Sequence, residues 1–160
     1  MKELKIESVF QVFDDIKETP KEVQQLMETA HQARKKAYAP YSHFAVGAAL
    51  LLENSIVVTG NNQENASYPS GLCAERTAIY AAGANHPDSK ILLMAIVAGS
   101  NKNKTDKPIP PCGACRQAIS EYEINQNQPI TIYFMGETGK VIRSNSLANL
   151  LPLVFDKNVL

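Results

Sequence analysis

The chain has no excess of either charge, no long apolar run, no internal repeat and few cysteines. Each shortage removes a class of function. Sixteen Lys and Arg stand against sixteen Asp and Glu, a formal net charge of zero in 160 residues. Nucleic-acid and anionic-membrane partners call for a basic excess or basic runs, so neither is expected. The longest apolar runs, of which Ile91 to Ala98 is one, fall far short of the roughly 18 residues a spanning helix needs. The N-terminus is charged and lacks the apolar stretch and small-residue cleavage site of a secretory signal, so a cytoplasmic location is expected. What remains is about one domain's length of chain, 44% hydrophobic, which supplies a sizeable core.

The pattern along the chain predicts interleaved strands and helices. Residues 1–18 read as an arm of uncertain structure. In it Leu4, Ile6, Phe10 and Val12 fit period two with Ser8 interrupting, which suits an added strand or a docked arm. Thr19-Pro20-Lys21-Glu22 offers an N-cap threonine, proline at the first helical position and a glutamate three residues on. Apolar residues from Val23 to Ala37 then recur at helical spacing, with the stop expected before Pro40. Phe44 to Leu52 reads as a strand covered on both faces, and Ile56 to Thr59 returns beside it. A helix from Leu72 to about Asn85 closed by Gly83 and Pro87, a buried strand Ile91 to Ala98, and a helix from Cys112 to about Tyr122 follow. Ile130 to Met135 and Val141 to Arg143 form a second hairpin, and Ser146 to Leu151 a last helical segment. This order predicts an α/β protein, a mixed sheet of strands between helical layers.

The three cysteines cannot all pair within one chain. Buried free thiols are the bland reading for any three. Their placement says more. Cys112 and Cys115 form a Pro-Cys-Gly-Ala-Cys element at one predicted helix start, and Cys73 stands at another. A lone Cys-x-x-Cys fits a redox dithiol, half a structural zinc site, or nothing. A structural zinc site closes with four protein ligands. The histidines, His31, His43 and His86, have none of the usual ligand spacings to the pair. Three thiolates with no fourth protein ligand is the arithmetic of a catalytic zinc site, one ion per chain, with its fourth position open to water. Such a site carries a net charge of minus one, which makes bound water less acidic. Two helix N-termini would offset it, as would Arg76, one turn beyond Cys73, although position alone suits an exposed arginine equally. Glu75 has the chemistry to take and return a proton. Residues two apart diverge on a regular helix, so Glu75 joins Cys73 only if Cys73 has non-helical geometry at the boundary.

Cys-Ala-Glu followed by Pro-Cys-x-x-Cys resembles the all-cysteine form of the zinc nucleoside and base deaminase signature. More narrowly, the chain is similar to the short, homotetrameric cytidine deaminases. The likeness runs from about Ala33 to Phe155 in four blocks: YAPYSHFAVGAALL (Tyr38 to Leu51), NQENASYPSGLCAERTA (Asn62 to Ala78), PCGACRQ (Pro111 to Gln117) and LLPLVF (Leu150 to Phe155). The stretch before Thr19 is longer than many short members carry.

The resemblance implies a three-layer α/β/α sandwich around a mixed five-stranded sheet, with 19–160 a single zinc-dependent deaminase domain. It implies zinc on Cys73, Cys112 and Cys115, Glu75 as proton shuttle and Arg76 neutralising the thiolates. Asn62 and Glu64 would bind the ribose 3′-hydroxyl, and Phe44 would pack on the pyrimidine face. Ala66 and Tyr68 would reach the ribose across a subunit interface, and the backbone of Ala74 would meet the base. Phe155 would enter a neighbour's site, making a homotetramer with shared sites. Without the resemblance Phe44 and Phe155 read as core residues. The implied activity is hydrolytic deamination of cytidine and 2′-deoxycytidine in pyrimidine salvage. A related deaminase of another cytosine nucleoside analogue is the alternative within the enzyme class. A zinc-stabilised interaction protein or a redox dithiol are those outside it.

Overall fold

Phe44 to Leu52 contains no charged or polar side chain, and it forms the long strand against which both helical layers pack. The structure is a computed structural model describing residues 1–160. In chain order the elements are β1 (Gln11–Phe13), α1 (Lys21–Arg34), β2 (Phe44–Leu52), β3 (Val57–Asn61), α2 (Ala74–Asn85), β4 (Ile91–Ser100), α3 (Gly113–Asn125), β5 (Thr131–Met135) and β6 (Val141–Ser144). The sheet order is β1-β6-β5-β4-β2-β3. Only β4 and β5 run parallel, and α3 is the crossover that a parallel pair requires.

Strand alternation sends successive side chains to opposite layers. Ala49, Ala95, Val97 and Tyr133 face α1 and meet Val23, Leu26, Met27 and Ala30. Leu50, Met94, Ile96 and Ile132 face the other way and pack with Ala78 and Ile79 of α2 and Ile119 of α3. The expected α/β/α sandwich with a mixed sheet is therefore present, but with six strands rather than five. The sixth is β1, whose Val12 stands opposite Ile142 on the edge of β6. Its Phe13 packs on Tyr133 with ring centroids 6.4 Å apart, so the apolar periodicity of the arm becomes sheet at its last residues.

Other departures are local. Thr19 does not cap α1; its hydroxyl turns back to donate to the Ile16 carbonyl at 2.6 Å, closing a preceding 3-10 turn. The helix ends at Arg34, well before Pro40, because the chain beyond it is drawn into backbone pairing with the segment after β3. The Tyr38 N–H donates to the Asn62 carbonyl at 3.0 Å, and the Glu64 N–H to the Tyr38 carbonyl at 2.9 Å. Gly83 lies inside α2 rather than closing it. A Cβ there would sit 2.5 Å from the Tyr122 hydroxyl, so the glycine admits the close approach of α3. The last helical segment shrinks to a 3-10 turn, Leu147–Asn149, capped by the Ser146 hydroxyl. No helix is long and apolar enough to cross a membrane.

Candidate active site

Two helices begin at cysteines, and both point their N-termini at one place. Cys73 is the N-cap of α2 with φ −72° and ψ 155°, and Cys112 is the N-cap of α3 with φ −68° and ψ 167°. Cys115 follows in the first turn of α3 and is fully buried. The three Sγ atoms lie within 4.8 Å of one another, with Cys112 to Cys115 at 3.5 Å and Cys73 to Cys112 at 4.0 Å. Tetrahedral zinc with Zn–S bonds of about 2.3 Å needs sulfurs roughly 3.8 Å apart, so the donor set fits this ion. No histidine or carboxylate joins the group as a fourth ligand.

The charges fit a cation as well. The neighbouring Cys115 thiol, helped by the Arg76 guanidinium, lowers the Cys73 thiol to about 5 against the cost of its burial. Its interaction with Cys73, with burial behind it, pushes the Cys115 thiol up. The two thiols are thus pushed in opposite directions, and a bound cation would let the sulfurs ionise together. Arg76 Nη2 donates to Cys73 Sγ at 3.5 Å, so the guanidinium lies against the sulfurs. Its Nε is buried without a partner.

Glu75 is 5% exposed. Burial raises its carboxyl above the ordinary range, opposed in part by its own backbone N–H and by the Cys115 thiol. The extended backbone at Cys73 is what brings residues two apart to one site. Thr77 fixes that corner, its N–H and hydroxyl both donating to the Cys73 carbonyl, at 2.9 and 3.1 Å.

A cleft of about 450 Å³ opens beside Cys73 and Arg76 and is walled by Tyr41, Ser42, Asn62, Glu64 and Tyr68, among others. Asn62 donates its amide Nδ2 to the Phe44 carbonyl at 2.9 Å and accepts from the Val46 N–H at 2.8 Å, leaving one donor hydrogen and one lone pair free. Glu64 accepts from the N–H groups of Tyr41 and Ser42 and, closely, from the Ser42 hydroxyl. These bonds, the hydroxyl first, hold its carboxyl below the usual range. Within one chain Phe44, Ala66, Ala74 and Phe155 are not among the cleft walls. Phe44 is half-buried at the start of β2, Ala66 is exposed, and Ala74 is buried at the first residue of α2. Phe155 is 61% exposed rather than part of the core, its carbonyl held by Gln117 Nε2 at 2.8 Å.

Three participants went unremarked in the sequence. Tyr41 and Ser42 sit inside the YAPYS block, where only their neighbours drew notice. Arg116, directly after Cys115, donates to the Pro111 carbonyl and to the Leu150 carbonyl, both at 2.8 Å. It thereby ties the cysteine turn to the C-terminal segment. Its place inside PCGACRQ was the available signal.

Residues 20–129 match the family described as the cytidine and deoxycytidylate deaminase zinc-binding region. The chain belongs to this family. A cytidine deaminase of Halalkalibacterium halodurans is 41% identical over 132 residues, 82% of this chain and 92% of that protein. One from Sporosarcina psychrophila is 40% identical over 136 residues, 85% of this chain and 93% of its own length. A crystal structure of cytidine deaminase from Burkholderia pseudomallei superimposes with a TM-score of 0.70 at 40% identity, covering 82% of this chain and 97% of that one. The zinc-binding family membership agrees with the sulfur cluster, whose three members all lie inside the matched span. The deaminase match begins at Pro20, so β1 and the arm before it stand outside.

Proposed function

We propose that this chain is a zinc-dependent cytidine deaminase. It hydrolyses cytidine and 2′-deoxycytidine to uridine and 2′-deoxyuridine with release of ammonia, and residues 19–160 act as its single catalytic domain. The observation that carries the reading is a three-sulfur cluster with no fourth protein ligand and a buried Glu75 beside it. Relatives at about 40% identity over most of the chain bear the same name.

Zinc held by Cys73, Cys112 and Cys115 would supply Lewis acidity, bringing the pKa of a water in its open position toward neutrality. Glu75 takes a proton from the attacking water as the oxygen adds to ring carbon 4. It passes that proton to ring nitrogen 3. The carboxylate then takes the proton of the new hydroxyl on carbon 4 and delivers it to the exocyclic amine, the carbon–nitrogen bond breaks, and ammonia leaves a carbonyl at carbon 4. Burial suits Glu75 to this work, because a carboxyl raised above its ordinary range holds a proton better than a free one does. Arg76 draws charge from Cys73. Asn62 and Glu64 offer a nucleoside hydroxyl a donor and an acceptor, and the absence of clustered cations around the cleft favours a nucleoside over a nucleotide.

Phe44 stacks on the pyrimidine, the Ala74 backbone meets the base, and Ala66 and Tyr68 approach the ribose across a subunit boundary. Phe155, exposed on a single chain, inserts beside a neighbour's cleft in a homotetramer. The cell would use the activity for pyrimidine salvage in the cytoplasm. The test is Glu75→Ala, assayed for zinc and for loss of cytidine absorbance. About one zinc per chain should remain while turnover drops by about 100- to 10,000-fold. Turnover at the parent rate would overturn the assignment, as would a parent chain that deaminates cytidine undiminished after chelation.

A further inference from the structure

The first eight residues have outrun their own sheet. In the register of β1 on β6, Gln11 stands opposite Arg143, so Phe10 would meet Ser144, where β6 ends. Val9 finds a single bond, its N–H donating to the Asn149 side chain at 3.3 Å. Residues 1–8 make no backbone hydrogen bond and contain no turn or bend. Lys5 and Glu7 lie on one side of this arm, paired at 2.6 Å. Leu4 and Ile6 alternate with them and are 77% and 47% exposed. An extended segment with free backbone groups and an uncovered apolar face is a strand that lacks a partner.

The charge order names the partner. When two copies of Leu4-Lys5-Ile6-Glu7-Ser8 run antiparallel about Ile6, each Lys5 stands opposite the other copy's Glu7. Ile6 then faces Ile6, and Leu4 faces Ser8. Opposed unlike charges and opposed β-branched residues both favour such a pair, whereas any one-residue slip sets apolar residues against charges. We propose that the N-terminal arm is a two-fold strand-pairing element, joining a second copy of this chain through antiparallel residues 4–8 centred on Ile6. The arm lies outside the family match, so this contact is separate from the site-sharing assembly proposed above.

Cysteines introduced singly into the zinc-loaded full chain test the register. Facing residues in an antiparallel pair are about 4.5–5.5 Å apart at Cα, within disulfide reach. Two copies of residue 4 would be about 14 Å apart, beyond it. Mild oxidation of Ile6→Cys should give covalent pairs on a non-reducing gel, absent from the parent chain. Leu4→Cys and Ser8→Cys should give few alone and many when combined in one chain. In the Ile6→Cys background, Lys5→Glu should cut the yield by about fivefold, and adding Glu7→Lys should restore it.

Equal linkage at positions 4, 6 and 8 would mean a loose arm and overturn the proposal. No linkage also overturns it. A residue 6 thiol shielded from reagent in dilute protein would then assign the arm to its own chain, and a fully reactive one to some other partner. Deaminase activity serves as the control for intact folding in every variant, because the hydrogen bonds and ion pairs of residues 1–9 run only to Asn149 and within the arm.

Discussion

The Asn62 side chain holds the Phe44 carbonyl at 2.9 Å and the Val46 N–H at 2.8 Å, so a residue proposed to bind ribose also builds the strand that carries Phe44, the aromatic proposed to stack on the pyrimidine. β3 ends at Asn61; the Asn62 N–H still donates to the Val46 carbonyl at 3.2 Å, and the Asn62 side chain supplies the bonds beyond it. Asn62→Ala strands both backbone groups, which costs about 1–3 kcal/mol. Denaturant unfolding should show that loss, and KM for cytidine should rise as the free amide donor and Phe44 go astray together. A variant with raised KM and parent stability would separate the two roles.

Arg76 and Cys73 make the second testable pair. Removing the guanidinium leaves the sulfur cluster less well compensated, and Arg76→Gln should lower zinc affinity about 10- to 100-fold in competition with a chromogenic chelator. Stripping the metal exposes the asymmetry among the thiols. With Cys73 lowered to about 5, its thiolate predominates at pH 6, while Cys115 keeps its proton. Alkylation of chelated protein at pH 6, mapped by mass spectrometry, should modify Cys73 well ahead of Cys115. Arg76→Gln should slow that reaction.

Much of this site was legible because its chemistry is local in sequence. Cys73, Glu75 and Arg76 fall within four residues, as do Cys112 and Cys115, and the proline and helix patterns around them fix where each helix begins. The layers followed from β2 and β4, whose unbroken apolar runs admit only burial on both faces. Long-range backbone pairing was not legible. Nothing in Lys35 to Ala39 announces that Tyr38 will bond to Asn62 and Glu64, and that contact is what ends α1. β1 was ambiguous for the same reason, since three residues carry too little periodicity to declare an edge strand until β6 stands beside them. Arg116 escaped notice because its partners are carbonyls, which leave no trace in sequence.

The ribose-binding role proposed for Glu64 makes it the group that would set the acid limb of substrate binding. Its carboxyl is held down, chiefly by the Ser42 hydroxyl and then by the N–H groups of Tyr41 and Ser42. A depressed carboxyl stays ionised through the ordinary glutamate range and is lost only as pH falls through its lower folded value. The part of the acid rise in KM that Glu64 causes should therefore begin at lower pH than an ordinary glutamate would give. Ser42→Ala removes the largest cause, lets the carboxyl climb back, and should move the acid rise in KM to higher pH. An unmoved profile would exclude Glu64 as the group responsible.

Gly60 decides whether α2 can bring its sulfur and its carboxylate to the site. A Cβ at Gly60 would lie 2.4 Å from the Ala74 carbonyl and 2.5 Å from the Ala78 nitrogen, so the first turn of α2 rests directly on β3. Gly47 has the same relation to α1, with a Cβ 2.0 Å from the Ala30 carbonyl. Either Gly→Ala change forces a helix off the sheet, at about 1–3 kcal/mol or more. Of these two helices only α2 holds a candidate metal ligand, Cys73 at its N-cap. Gly60→Ala should thus lower zinc content and turnover along with stability, because displacing Ala74 moves Cys73 and Glu75 with it. Gly47→Ala should lower stability while the folded fraction keeps its zinc. Metal analysis and calorimetry on both variants compare the two directly, and equal zinc loss would show that the site depends on overall stability rather than on the seat of α2.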